Sequence, residues 1–142
     1  MNVAANSVPE KTVGAVMTTE PVTLQLNDTL RLADDMMNLA QVRHFPVLDG
    51  EKLAGVIDQD DLLHASMASL VRHPKDTVRE ALGTVAIKDF MKAASSVPRE
   101  TSIYDAARMM VDRAIECLLI VDGDKLIGLV TRSDLLRELA KR

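Results

Sequence analysis

The chain has 142 residues, 47% of them hydrophobic and 27% charged, which suits one ordinary domain or two small units sharing a core. It contains no Trp, one Tyr and two Phe, so the core must be aliphatic and the aromatic platforms of single-stranded nucleic-acid binders are missing. A net charge of −4 without a long basic run argues against a nucleic-acid partner, while leaving room for a small local anion site.

Residues 1–11 carry neither a basic stretch nor an apolar run of signal-peptide type, and no apolar run approaches ~20 residues. A loose tail over 1–12, a cytoplasmic location and no membrane contact are therefore expected. Past the tail, an extended piece at 21–24 leads to a helix start that Asn27 or Asp28 can cap. Leu30, Ala33, Met37 and Ala40 then recur at helical spacing. Two apolar, β-rich runs follow at 44–48 and 53–57, with Asp49-Gly50 between them. Asp-Gly in that position signals a hairpin, read here as a type I′ turn with φ > 0 at both central residues. A further helix opens at Asp58. The stretch 64–84 carries Pro74 and Gly83 around an apolar 78–82 segment. It lacks Ser and Gly enrichment and reads as a helical connection rather than a flexible linker.

The same series then returns. An extended piece at 95–98 precedes Ser102-Ile103-Tyr104-Asp105, which fits a capping box. Ile103, Ala107, Met110 and Ala114 repeat the helical spacing. Runs at 117–121 and 126–130 flank Asp122-Gly123, and a last helix opens at Thr131. The lone cysteine, Cys117, excludes an internal disulfide and reads as a buried strand residue.

An offset of 73 aligns 29–63 with 102–136 without a gap. Identities include Ala33/Ala106, the Met pairs 36/37 and 109/110, Asp49-Gly50/Asp122-Gly123, Gly55/Gly128 and Asp61-Leu62-Leu63/Asp134-Leu135-Leu136. Met17 pairs with Met91 once a single extra residue is allowed in the first copy. The chain is thus an internal duplication. Its expected division is a tail at 1–12, a first copy at 13–68, a helical connection at 69–84 and a second copy at 85–142. The fold class is mixed α/β (α+β), made of two β-α-β-β-α repeats. Each repeat, of ~50 residues, buries too little surface alone. The copies are expected to pack through their sheets with pseudo-twofold symmetry, leaving two related clefts.

Three segments carry a family resemblance: Met-Thr-Thr-Glu-Pro-Val-Thr at 17–23, Arg-His-Phe-Pro-Val-Leu-Asp at 43–49, and Gly-Leu-Val-Thr-Arg-Ser-Asp-Leu-Leu at 128–136. They resemble CBS (cystathionine-β-synthase-type) domains, and the resemblance covers all but the tail. Tandem CBS pairs, or Bateman modules, commonly dimerise and bind adenosine-type ligands (AMP, ADP, ATP or S-adenosylmethionine) between the repeats. They regulate an enzyme, channel or transporter and are not themselves enzymes. The resemblance therefore implies a likeness to homodimeric sensors with an effector protein as partner, and no cofactor beyond the regulatory nucleotide. The alternative is a ligand-independent dimerisation or docking module.

The family's ligand motif has the form Gly-h-h-Thr/Ser-x-x-Asp, with h apolar. The Asp accepts from the ribose hydroxyls, while hydroxyl side chains and helix-start amides meet phosphate. Such a helix start suits an anion, and a carboxylate suits a diol. The second copy keeps the motif as Gly128, Thr131, Ser133 and Asp134. By the same resemblance Pro21, Val22, Val42, Arg43, His44 and Pro46 form the wall for the base, with Arg43 or His44 able to reach phosphate. The first copy keeps Gly55 and Asp61 but has Asp58 for the Thr and Asp60 for the Ser. Ile115 and Glu116 would face that second cleft. Carboxylates at 58, 60 and 116 repel phosphate at close range, so this cleft is expected to be empty or to suit an uncharged or cationic group. Both Thr131-x-x-Asp134 and Asp58-x-x-Asp61 also fit plain helix capping. The acidic triplet at 58, 60 and 61 lacks the spacing and glycine of a calcium loop. No glycine-rich phosphate loop, nucleophile elbow or zinc-ligand pair is present.

Overall fold

Residues 11–141 are described by a computed structural model; the greater part of the expected tail lies outside the described residues. Elements follow in the order α1 (Val13–Val16), β1 (Thr18–Thr19), β2 (Leu24–Gln25), α2 (Leu30–Ala40), β3 (His44–Asp49), β4 (Lys52–Asp58), α3 (Gln59–Arg72) and α4 (Val78–Leu82). A 3₁₀ turn at Ile87–Asp89 precedes β5 (Ser96–Pro98), α5 (Ile103–Arg113), β6 (Cys117–Asp122), β7 (Lys125–Thr131) and α6 (Arg132–Ala140). The β-α-β-β-α order thus occurs twice, and the connection is helical on both sides of a break at Pro74.

The chain forms two compact units that cut across the sequence copies. One, the second-copy unit, joins the described residues up to Glu20 to those from Ser95 onward; the other, the first-copy unit, spans Pro21–Ala94. Each copy thus sends its lead-in segment into the other copy's unit. In the second-copy unit, β1 adds antiparallel to β7 in a sheet ordered β1-β7-β6-β5, with Thr18 opposite Leu129 and Thr19 opposite Gly128. In the first-copy unit, β2, β3 and β4 form the sheet, and Lys92 bridges antiparallel to Val56 on its free side. Leu129 and Val56 are equivalent in the repeat. Lys92 therefore occupies the register position of Thr18, as the Met17/Met91 alignment requires.

The cores are aliphatic, as the composition demands. Leu30, Phe45, Val47, Ile57 and Ile87 are completely buried in one unit, and Val13, Leu118, Ile120 and Val130 in the other. Full burial of each such side chain contributes about 1.5–3 kcal/mol before conformational entropy is set against it.

Local details depart from the sequence reading in four places. The cap of α2 is Thr29, whose side chain accepts from Leu32 N, because Asp28 Oδ2 is already taken by Gln25 N at 2.8 Å. In the second copy Ser102 accepts from Asp105 N at 3.1 Å, which is one half of the expected capping box without the reciprocal bond. On α5 the buried position is Ala106, with Ala107 only half-buried, and Ala40 and Ala114 end their helices exposed. Both hairpins turn on a glycine with positive φ (66° at Gly50, 61° at Gly123), but Glu51 and Asp124 do not share it. Positive φ at the first central residue alone is the pattern of a type II′ turn, not type I′. Gln41 and Ala114, equivalent in the repeat, close α2 and α5 in the left-handed region at φ 54°.

Candidate functional site

The second-copy motif lies where β7 runs into α6. Thr131 ends the strand with extended backbone and caps the helix. Its Oγ1 accepts from Asp134 N at 3.2 Å, and its own amide donates to Asp134 Oδ2 at 2.8 Å. Arg137, one turn later and exposed, donates to the other carboxylate oxygen at 2.6 Å. Ser133 is exposed on the first turn of α6. The corner thus presents helix-start amides, a hydroxyl and a carboxylate within a few ångströms. Its dipole favours an anion, and Asp134 can accept from a diol.

Gly128 lies within β7, three residues before Thr131, and is buried, with ordinary backbone geometry. A Cβ there would fall 2.3 Å from Met17 Sδ and 3.0 Å from Thr18 O. The close approach of β1 is what favours glycine here. Beside the corner, Glu116 meets Arg132 at 3.1 Å and the Arg132 amide donates to Glu116 O, while Ile115 is half-buried. The Glu116 carboxylate is therefore already faced by a cation.

The first-copy corner, where β4 runs into α3, repeats the cap with acids. Asp61 N donates to Asp58 Oδ1 at 3.0 Å, and Asp58 N donates to Asp61 Oδ2 at 2.9 Å. Lys92 Nζ then bridges the pair, 2.8 Å from Asp58 Oδ2 and 3.3 Å from Asp61 Oδ1. Burial works to raise the Asp58 pKa, but the bonds from Lys92 and from the Asp61 amide together hold it below its ordinary value. Burial, aided by the neighbouring Asp58 charge, pushes Asp61 up. Burial works against the Lys92 ammonium, yet its two carboxylates outweigh this and raise its pKa. Of the carboxylates expected to repel phosphate, Asp58 is thus faced by Lys92 and Glu116 by Arg132. Sequence reading missed Lys92; the Met17/Met91 alignment marks it as the equivalent of Thr18 without telling which corner it serves.

The residues expected to form the base wall belong to the first-copy unit, whereas Gly128, Thr131, Ser133 and Asp134 belong to the other. Pro21 is half-buried and Val22 exposed, just before β2. Val42 and Arg43 are exposed, and half-buried His44 opens β3 opposite Asp58. Pro46 is fully buried within the sheet. Among the described residues, no cluster of three or more His, Cys, Asp or Glu is arranged to hold a metal, and no helix is long and apolar enough to cross a membrane.

The family model for the CBS domain matches residues 13–68 and 85–141. An uncharacterized protein of Methanocaldococcus jannaschii is 29% identical over 93% of this chain, and the A-adding tRNA nucleotidyltransferase of Geobacter sulfurreducens is 30% identical over 91%. The chain spans only 40% and 13% of those two relatives. Among solved structures, AcuB from Vibrio cholerae superimposes with a TM-score of 0.77 at 29% identity, covering 94% of this chain and 93% of that one. CBSX2, solved in complex with AMP, gives a TM-score of 0.76 at 26% identity, covering 92% of this chain and 97% of its own.

Proposed function

The chain belongs to the CBS-domain family as a tandem pair, a class of generally regulatory and non-catalytic modules, and from this premise we propose that it senses an adenosine-type ligand at the β7–α6 corner. AMP, ADP, ATP and S-adenosylmethionine are the candidates. The observation that carries the reading is the exposed Ser133 hydroxyl beside an Asp134 carboxylate whose outer oxygen is met by the exposed Arg137 of the same helix. An i,i+3 pair to an exposed arginine contributes little and yields to a competing donor. In this reading Asp134 accepts from the ribose diol, and Thr131, Ser133 and the α6 amides face the phosphate. Binding biases the conformation that an effector protein reads. The AMP held by CBSX2, a relative of matching fold, supports the ligand class.

The test is thermal unfolding with each of the four ligands, in the wild type and in Asp134→Ala. Ligand at ~100 times its Kd adds about 2.7 kcal/mol. For a chain of this size that is a Tm rise of roughly 5–10 °C. No shift with any ligand, or an equal shift in Asp134→Ala, overturns the proposal.

One observation favours a second reading, a ligand-independent dimerisation or docking module. The α3 face carries exposed Leu63, Met67, Leu70 and Val71, a helical apolar stripe. Under this reading the chain is a dimer by light scattering whose melting ignores nucleotides, and Leu63→Asp with Met67→Asp makes it monomeric.

A further inference from the structure

The two corners share a carboxylate at the third helical position, and in each the inner oxygen is used by the helix cap. They differ in what meets the outer oxygen. At α6 it is Arg137, on the same helix and 70% exposed, against an Asp134 side chain that is 18% exposed. At α3 it is Lys92, 48% exposed, which arrives from a distant segment and bridges two carboxylates at once, Asp58 and Asp61, 15% and 9% exposed. The Lys92 backbone is itself fixed, donating to and accepting from Val56 at 3.0 Å. Its register equivalent, Thr18, has no cation to offer.

We infer that Lys92 is a built-in occupant of the first-copy corner, closing Asp61 to a ribose diol so that the chain takes one adenosine-type ligand rather than two; the ligand class rests on the reading proposed above. Two physical reasons separate the corners. Displacing Arg137 returns an exposed guanidinium to water and uncovers one carboxylate oxygen, which the incoming ribose hydroxyls satisfy in its place. Displacing Lys92 leaves two partly buried carboxylates side by side without a counter-ion, which is the expensive way to break an ion pair. Phosphate meets a further barrier there, because Asp58 and Asp60 stand where the second copy has Thr131 and Ser133. An uncharged nucleoside avoids that barrier, so it isolates the role of Lys92.

The experiment is calorimetric titration with adenosine of the wild type, Lys92→Thr (the residue at the equivalent register position), Lys92→Arg and Lys92→Thr with Asp134→Ala. The wild type and Lys92→Arg bind one adenosine per chain, Lys92→Thr binds two, and the double variant keeps one. An unchanged stoichiometry in Lys92→Thr, with its helical circular dichroism intact, overturns the inference and leaves the Asp134 site standing. A second site appearing in Lys92→Arg also overturns it, since the cation is kept. Binding gained in Lys92→Thr by a chain that binds nothing as wild type supports the lysine closure and refutes the Asp134 reading. No binding in any variant refutes both.

Discussion

Adding a methyl group at Gly55 should destabilise the protein more than adding one at Gly128, although the two glycines are equivalent in the repeat. Neither has positive φ, so backbone strain does not enter. At Gly55 the new Cβ would lie 2.7 Å from Lys92 O, a backbone atom. That carbonyl accepts from Val56 N at 3.0 Å. Relief requires the Lys92 backbone to retreat, which breaks the bridge and draws Nζ away from Asp58 and Asp61. At Gly128 the worst contact, 2.3 Å, is with Met17 Sδ, part of a side chain that can rotate away. Thr18 O at 3.0 Å has only to shift by tenths of an ångström. Overpacking costs about 1–3 kcal/mol, and the broken bridge adds about 1. The Gly→Ala entropy gain subtracts about 0.4–1 kcal/mol from both. Gly55→Ala therefore falls near 3 kcal/mol and Gly128→Ala near 1, a gap of roughly 4–8 °C in Tm. Urea unfolding with midpoint and slope for both variants measures it. Equal midpoints, or the reverse order, would refute the steric argument. Gly128→Ala should also keep its nucleotide-induced shift, because Gly128 serves the approach of β1.

Other consequences follow from single contacts. Thr131→Ala removes the α6 cap and should cost about 1 kcal/mol, read as a lower urea midpoint, whereas Thr131→Ser should recover most of it. Ala114→Gly relieves a left-handed C-terminal residue and should raise stability by about 0.5–1 kcal/mol, the strain lost exceeding the entropy added to the unfolded chain; a lower Tm would count against it. The stabilisation that Lys92 gives Asp58 is present above pH 3.8 and lost as pH falls through the depressed folded value. Its counterpart on Lys92 is present below 10.5 and lost as pH rises through the elevated folded value. The raised Asp61 opposes the first of these, favouring the folded state at low pH and ceasing to do so as pH rises through its folded value. The urea midpoints of wild type and Lys92→Met should therefore differ most between those limits and converge once pH is below the depressed Asp58 value or above the elevated Lys92 value; a gap that persists with Asp58 fully protonated would show that the ion pair is not its cause. Cys117, buried in β6, should react with a thiol reagent far more slowly in the folded chain than in urea.

Much of the fold was legible because aliphatic periodicity and turn chemistry are local. The duplicated Asp-Gly turns, the Leu30/Ile103 helix starts and the capping residues Asp58 and Thr131 can all be placed from neighbours a few positions away. Where the reading slipped, a competing local partner decided. Gln25 N claimed Asp28 and left the cap to Thr29. The II′ turn needed one glycine with positive φ instead of two such residues. The exchange of lead-in segments was not legible at all, since it depends on which strand edge accepts Thr18 and which accepts Lys92.

The same limit governs the candidate sites. Asp61 and Asp134 are the same residue at the same helical position, each followed by Leu-Leu and each with its inner oxygen in a cap. A motif read along the chain can report those donor and acceptor atoms. It cannot report the cation that stands against them, because Lys92 lies 34 positions from Asp58 and reaches it only through pairing with Val56. Had the lead-in segments stayed with their own copies, Thr18 and Lys92 would have changed places, and the ammonium would have stood at Asp134. The asymmetry between the corners is thus set jointly by two acids, Asp58 and Asp60, and one lysine, and strand exchange determines which corner the lysine serves.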